Sequence, residues 1–261
     1  LWLIVALGIV LLAALFFRRF DPAPRKPRRA TRLTASPPLE SAQPTPTPAP
    51  IHLTPLPSGR RAFYPRRILL TELRLLFKGI RWWWFIVFAG LNVAGLLLPT
   101  ESARQYLLPA AWILPLALWS ALGTREVRHN TGQLVFSAPH PLSRQFPLMW
   151  LAGVAVALGA GVGVAVNLIL ANDWLHLLAW GTGALFIPTL ALALGTWSGS
   201  SKLFEVVYML MWYAGPINRV ESLDFMGAGS DPQLSTVLAY GLFTMLLLAL
   251  AVLGRKRQIK R

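Results

Sequence analysis

PLMWLAGVAVALGAGVGVAVNLIL, residues 147–170, contains no Asp, Glu, Lys or Arg along its whole length. A helix that crosses a bilayer needs about 20 predominantly apolar residues, within a range of about 17–25. This stretch meets that requirement, and the chain on either side repeats the pattern. Residues 1–17, 82–98, 106–122, 174–195, 203–216 and 234–253 are apolar runs of similar length. The sixth run of the seven, 203–216, is short and fits a tilted helix, a re-entrant segment or part of a helix that begins earlier. Open strands would leave backbone groups unpaired in lipid, so every run is read as helix. The expected fold is an all-α polytopic membrane protein. A six-span helical bundle, with an interfacial helix before it, occupies 66–254. It is preceded by one extra N-terminal span (1–17) and a disordered linker (18–65), and followed by a basic tail (255–261).

Composition agrees with the runs. Of 261 residues, 55% are hydrophobic and 13% charged, and the mean hydropathy is +0.52. Soluble domains carry about 25% charged residues, so a water-soluble enzyme is excluded. The absence of cysteine removes disulfides, thiolate zinc sites and cysteine nucleophiles. The net charge of +15 would suggest nucleic acid in a soluble protein. Here the cations follow the spans instead, and no nucleic-acid partner is expected. They lie in residues 18–81, in the loop 123–146, at Lys202 and in the tail, while Arg104 and Arg219 alone fall in the intervening loops. The positive-inside rule then makes the linker and the C-terminal tail cytoplasmic in a plasma (inner) membrane protein, with the N-terminus outside.

Residues 1–17 lack a basic region before them and a small-residue cleavage site after them. Arg18 and Arg19 follow directly, as in a stop-transfer anchor rather than a signal peptide. Leu1 already lies inside the run, which suggests a fragment or a processed product. Residues 22–65 hold over half of the 21 prolines, including PTPTPAP at 44–50, and read as an extended linker, the alternative being a proline-rich ligand for an adaptor domain.

Three segments have more specific character. In RILLTELRLLFKGIR, residues 67–81, Arg67, Thr71, Arg74, Lys78 and Arg81 share one helical face, while Leu69, Leu73, Leu76 and Ile80 share the opposite one. A basic amphipathic helix beside Trp82, Trp83 and Trp84 is expected to lie in the headgroup layer. The alternative is a plain extension of the span at 82–98. In the fourth span, Ala155, Gly159 and Gly163 recur every four residues and would let helices pack closely. Asn92 and Asn167, within spans, are expected to bond between helices.

The third segment is the loop GTREVRHNTGQLVFSAPHPLSRQFP, residues 123–147. Arg125, Glu126, Arg128 and His129 supply charge, and Gly132 permits a turn. Leu134, Val135 and Phe136 form a small apolar patch. Pro139, Pro141 and Pro147 are expected to prevent a long helix. Such a loop can dock a partner, although its composition equally fits a solvated connection. No catalytic constellation or metal-ligand spacing emerges: the four histidines are dispersed, and the outer-side acids Asp173, Glu221, Asp224 and Asp231 are scattered. No Gly-rich loop ending in Lys-Ser or Lys-Thr is present, so neither ATP nor another cofactor is expected to bind.

The order of these features resembles the membrane subunits of type 2 ABC exporters. An interfacial helix and a span pair are followed by a charged loop of the form E-x-R-x-x-x-G…SAPHPLSR, carried by Glu126, Gly132 and Pro139. GTWSGSSKLFEVVYMLMWYAGPINRVESLDFMG follows at 195–227, with Trp212, Tyr213, Gly215, Pro216 and Asp224 the best matches, then a last span and a basic tail. The likeness covers about residues 66–261, and the segments before it depart from the pattern. It implies a permease-type six-span bundle without enzymatic activity of its own. In that family the loop after the second span carries a coupling helix that touches the ATPase. That would assign ATPase contact to Arg125, Glu126, Arg128, His129, Gly132, Leu134, Val135, Phe136 and Pro139. The implied partners are a separate ATP-binding-cassette ATPase, a second copy or homologous permease half, and the lipid bilayer. Two other classes remain open on the residues alone: an intramembrane hydrolase and a non-transporting scaffold.

Overall fold

The computed structural model describes residues 64–137, 140–229 and 233–260. The expected span at 1–17, the linker up to residue 63, and Pro139 lie outside them. All regular structure among the described residues is helical. The chain begins with α1 (Pro65–Phe77) and α2 (Trp82–Leu97), followed by α3 (Thr100–Ser102), α4 (Leu108–Ile113) and α5 (Leu116–Ser120). The loop supplies α6 (Arg125–Arg128) and α7 (Gly132–Phe136). Then come α8 (Phe146–Ala160), α9 (Val162–Leu170), α10 (Trp174–Ser198), α11 (Ser201–Trp212) and α12 (Leu234–Lys260).

Among the described residues, three helical stretches are long and apolar enough to cross a membrane: Pro141–Ala160, Trp174–Ser198 and Leu234–Ile259. At 1.5 Å per residue, the 27 residues of α12 extend about 40 Å, beyond the roughly 30 Å of a hydrocarbon core. Its outward face carries Leu238, Leu242, Met245, Leu246 and Leu253, all exposed, as lipid contact requires. Of the other expected spans among the described residues, 82–98 forms the single helix α2, while two are helical but interrupted. The run at 106–122 breaks between Ile113 and Leu116, and the run at 203–216 ends in a π-helical turn, Tyr213–Ile217.

Those interruptions have a common cause. Proline cannot donate to the carbonyl four residues back, and at several prolines here the helix slips its register. Leu108 N donates five residues back to Ala103 O, immediately before Pro109. Phe146 N does the same to Pro141 O, before Pro147. Asn218 N reaches Tyr213 O across Pro216. The expectation that Pro141 and Pro147 would stop a long helix is therefore corrected: the π-helical turn absorbs both, and one helical stretch runs from Pro141 to Ala160. Where the helix does break, before Pro115, the open carbonyls are taken by side chains. Tyr208 Oη donates to Trp112 O at 3.0 Å, and Trp84 Nε1 to Leu114 O at 3.4 Å.

The core forms where α4 and α5 lean on α8. Trp112 and Trp119 are fully buried, and their indole N–H groups donate to Ala157 O (3.0 Å) and Gly153 O (3.1 Å). Phe186, Phe204, Tyr208 and Phe225 extend the same cluster. Small residues set the distances. A Cβ on Gly163 would sit 1.9 Å from Asn92 O, and Asn92 Oδ1 accepts from Gly163 N at 3.0 Å. Asn167 Nδ2 points at the last carbonyls of α2, those of Gly95, Leu96 and Leu98, while its Oδ1 accepts from Thr100 Oγ1. These carbonyls have no intrahelical donor, so the asparagine caps α2 from a neighbouring helix. Of the expected packing stripe, Gly163 lies against α2 and Gly159 near Phe88; Ala155 faces outward.

Candidate functional site

The loop after α5 is built on fixed supports. Gly123, at φ +72°, lies against Thr196 and the Leu192 carbonyl of α10, where a Cβ would approach within 3.2 Å. The four-residue α6 follows. Asn130, at φ +53°, makes the turn into α7. The turn expected at Gly132 thus falls two residues earlier, and Gly132 opens α7.

Two ion pairs, one buried and one half-buried, fasten this loop. Glu126 accepts from Arg255 Nη2 of α12 at 2.7 Å, with side-chain exposures of 8% and 0%. Arg125 donates to Glu72 of α1 at 2.9 Å, and Gln145 Nε2 also points at Glu72, at 3.4 Å. Arg255 further lies over the Phe136 ring, 4.7 Å from its centroid, a favourable cation–π placement. Its Nη1 donates to Gln258 Oε1, and Gln258 Nε2 in turn donates to Thr196 O of α10. Burial pushes the Glu126 carboxyl up, but the hydrogen bond and charge of Arg255, with the charge of Arg125, outweigh it. The group is held below its ordinary value.

The outer surface of the loop is different. Val127 and Leu134 are 50% and 77% exposed. Arg128 and His129 are exposed too, and Val135 and Phe136 half-buried. Glu126, Val127, Asn130, Gly132, Gln133 and Phe136 line an open cleft of about 450 Å³. The charged members of the expected docking set therefore divide: Arg125 and Glu126 turn inward to hold the loop, whereas Arg128 and His129 face outward.

The basic helix ends at Phe77, four residues short of the expected Arg81, and shows the expected division of faces. Arg67, Arg74, Lys78 and Arg81 are exposed, and Leu69, Leu73, Leu76 and Ile80 pack on the core. The chain bends by 105° between α1 and α2, with Gly79 at φ +89° in the bend, so α1 is not a straight extension of α2. Three residues of the loop's support were not singled out from the sequence: Glu72, Arg255 and Gln258. The first two had a periodic signal. Glu72 falls on the Leu69–Leu76 face, and Arg255 follows Leu247 and Ala251 at intervals of four.

At the other end of the bundle, Asp173, His176 and Arg104 form a chain. Asp173 caps α10 through His176 N and takes the His176 Nδ1 proton, 2.6 Å from Oδ2. Arg104 Nη1 lies 2.5 Å from His176 Nε2. A guanidinium can only donate, so Nε2 is the acceptor in this contact. Arg104 and Asp173, with Thr100, Glu101, Ala171 and Asn172, border an open cleft of about 600 Å³. No known protein family, curated protein or solved structure matches the chain.

Proposed function

We propose that the chain is the membrane-spanning permease subunit of an ATP-binding-cassette transporter, an exporter, driven by a separate ATPase that docks on the loop 123–146. In this reading all six segments from 82 onward cross the plasma membrane and the basic side is cytoplasmic. Two such units, identical or homologous, enclose the pathway. The ATPase carries the enzymatic activity.

The observation that carries the proposal is the two-sided construction of the loop. Its base is tied to α1 by a half-buried ion pair and to α12 by a buried one, while Val127 and Leu134 project outward. A connection that only returned the chain would gain nothing from burying charge, which is costly to desolvate. A platform that must move α10 and α12 when a partner pushes on it needs a stiff base and a free apolar tip. The order of elements that resembles type 2 ABC exporters adds support of a separate kind.

The test is affinity purification of the tagged chain from its native membranes. A P-loop ATPase should be retained, and Leu134→Asp should release it by placing a charge in the apolar contact. Purification of the intact chain with no ATPase bound would overturn the proposal.

A further inference from the structure

The exposed face of α1 carries cations and the neutral Thr71, but no acid. Arg67 and Arg74 lie seven residues apart on one face of α1, Lys78 directly follows the last residue of the helix, and all three are exposed. Arg66 and Arg81 are exposed at the two ends. Glu72, the lone acid of this helix, points the other way: it is buried and occupied by Arg125. Nothing on the helix's outer surface neutralises the stripe. Leu70 and Leu75, 44% and 43% exposed, flank it on either side, and Trp82 and Trp83 stand exposed where the bend ends.

We propose that this face of α1 binds the anionic headgroups of acidic phospholipids. With α2 crossing the bilayer, the 105° bend lays α1 roughly along the membrane plane at headgroup depth. An arginine–lysine stripe bordered by leucines then meets phosphate oxygens with its guanidinium and ammonium groups, and the upper acyl chains with its leucines. The exposed indoles suit the same depth, being apolar in body with one polar N–H. Guanidinium favours phosphate because its fork matches two oxygens. An acidic protein surface would complement the charges, but the flanking leucines and tryptophans select a partner with an apolar layer directly beneath its charge. The proposal rests on α2 crossing the membrane and not on the transport reading, so either can fail without the other.

The test uses the purified full chain in detergent, with lipid binding read by native mass spectrometry. Phosphatidylglycerol and phosphatidylcholine of identical acyl chains are titrated separately. The unaltered chain should bind phosphatidylglycerol at least about tenfold more tightly, given that each cation near a membrane surface is worth about a fivefold preference. Arg67→Gln/Arg74→Gln/Lys78→Gln should abolish the preference, and each single substitution should lower it about fivefold. Lys256→Gln/Arg257→Gln, at the end of α12, should leave it intact, and millimolar inorganic phosphate should not displace the lipid. Equal affinity of the unaltered chain for the two lipids would overturn the proposal. So would a preference that survives the triple and single α1 variants, one equally sensitive to the α12 pair, or one that free phosphate displaces.

Discussion

Arg255 Nη2 lies 2.7 Å from Glu126 Oε1, joining two residues 129 positions apart in the chain. The pair is closed off from solvent on both sides, which decides its energetics. Removing one partner of a buried pair leaves a charge with nothing to balance it and costs about 3–5 kcal/mol. Glu126→Ala and Arg255→Ala should each lower stability in detergent by that amount. Their combination should cost less than the sum by more than about 1 kcal/mol, since the double variant strands no charge. Additive losses in a chemical-denaturation cycle would show that the two side chains do not sense each other.

The same pair sets a pH dependence. Glu126 is held below its ordinary value of 4.5, so the unfolded chain binds the proton more readily than the folded one. The stability that Arg255 contributes through Glu126 is therefore complete above about pH 4.5 and fades as pH falls through the folded value. Melting temperatures measured between pH 7 and pH 3 should fall at the acid end. Glu126→Gln should start lower and show a shallower fall. Parallel curves for the two proteins would remove Glu126 as the source.

Much of the fold is visible along the chain, because spans and amphipathic faces are periodic local patterns. The face of α1 that packs inward follows from Leu69, Leu73, Leu76 and Ile80 alone. What sequence reading misses is the pairing of charges across long separations. Arg255 reads as the first residue of a solvated tail, since a cation after an apolar run ordinarily marks the membrane edge. In the structure the helix carries on through Lys260, and the face that buries Leu247 and Ala251 buries Arg255 as well. The prolines mislead for another reason. Their effect depends on whether the helix can lengthen its hydrogen-bond register, which it does at Pro109 and Pro147.

Close packing gives a third prediction. Gly163→Ala would set a methyl group 1.9 Å from the Asn92 carbonyl oxygen, so α9 and α2 must separate and the Asn92 contact with Gly163 N must stretch. The cost should reach the upper part of the about 1–3 kcal/mol typical of overpacking. Gly181 is also helical, but a Cβ there meets nothing within 4 Å. Gly181→Ala should stabilise by about 0.5–1 kcal/mol through helix propensity. Thermal unfolding of the two variants side by side should move in opposite directions, and a shared direction would contradict the packing described.

The last prediction separates holding the loop from using it. The family resemblance assigns Glu126 to ATPase contact, so its loss would be expected to impair ATP-driven turnover. Its bond to Arg255 changes that expectation: Glu126→Ala should weaken the protein itself, and a loss of transport in that variant would say little about docking. Leu134 is the cleaner probe. It is 77% exposed, so Leu134→Asp removes almost no internal contact and should change stability by less than about 0.5 kcal/mol. In the proposed complex the same change buries a charge against an apolar surface and should reduce ATPase association at least about tenfold, by the cost of an unpaired buried carboxylate. Val127→Asp, on the neighbouring short helix, should act in the same direction. Measured together, stability and ATPase retention should move apart for Leu134 and Val127 and fall together for Glu126. If Leu134→Asp and Val127→Asp leave association and transport unchanged in a stable protein, the exposed tip of the loop is not a docking surface, and the permease reading loses the residues on which it depends.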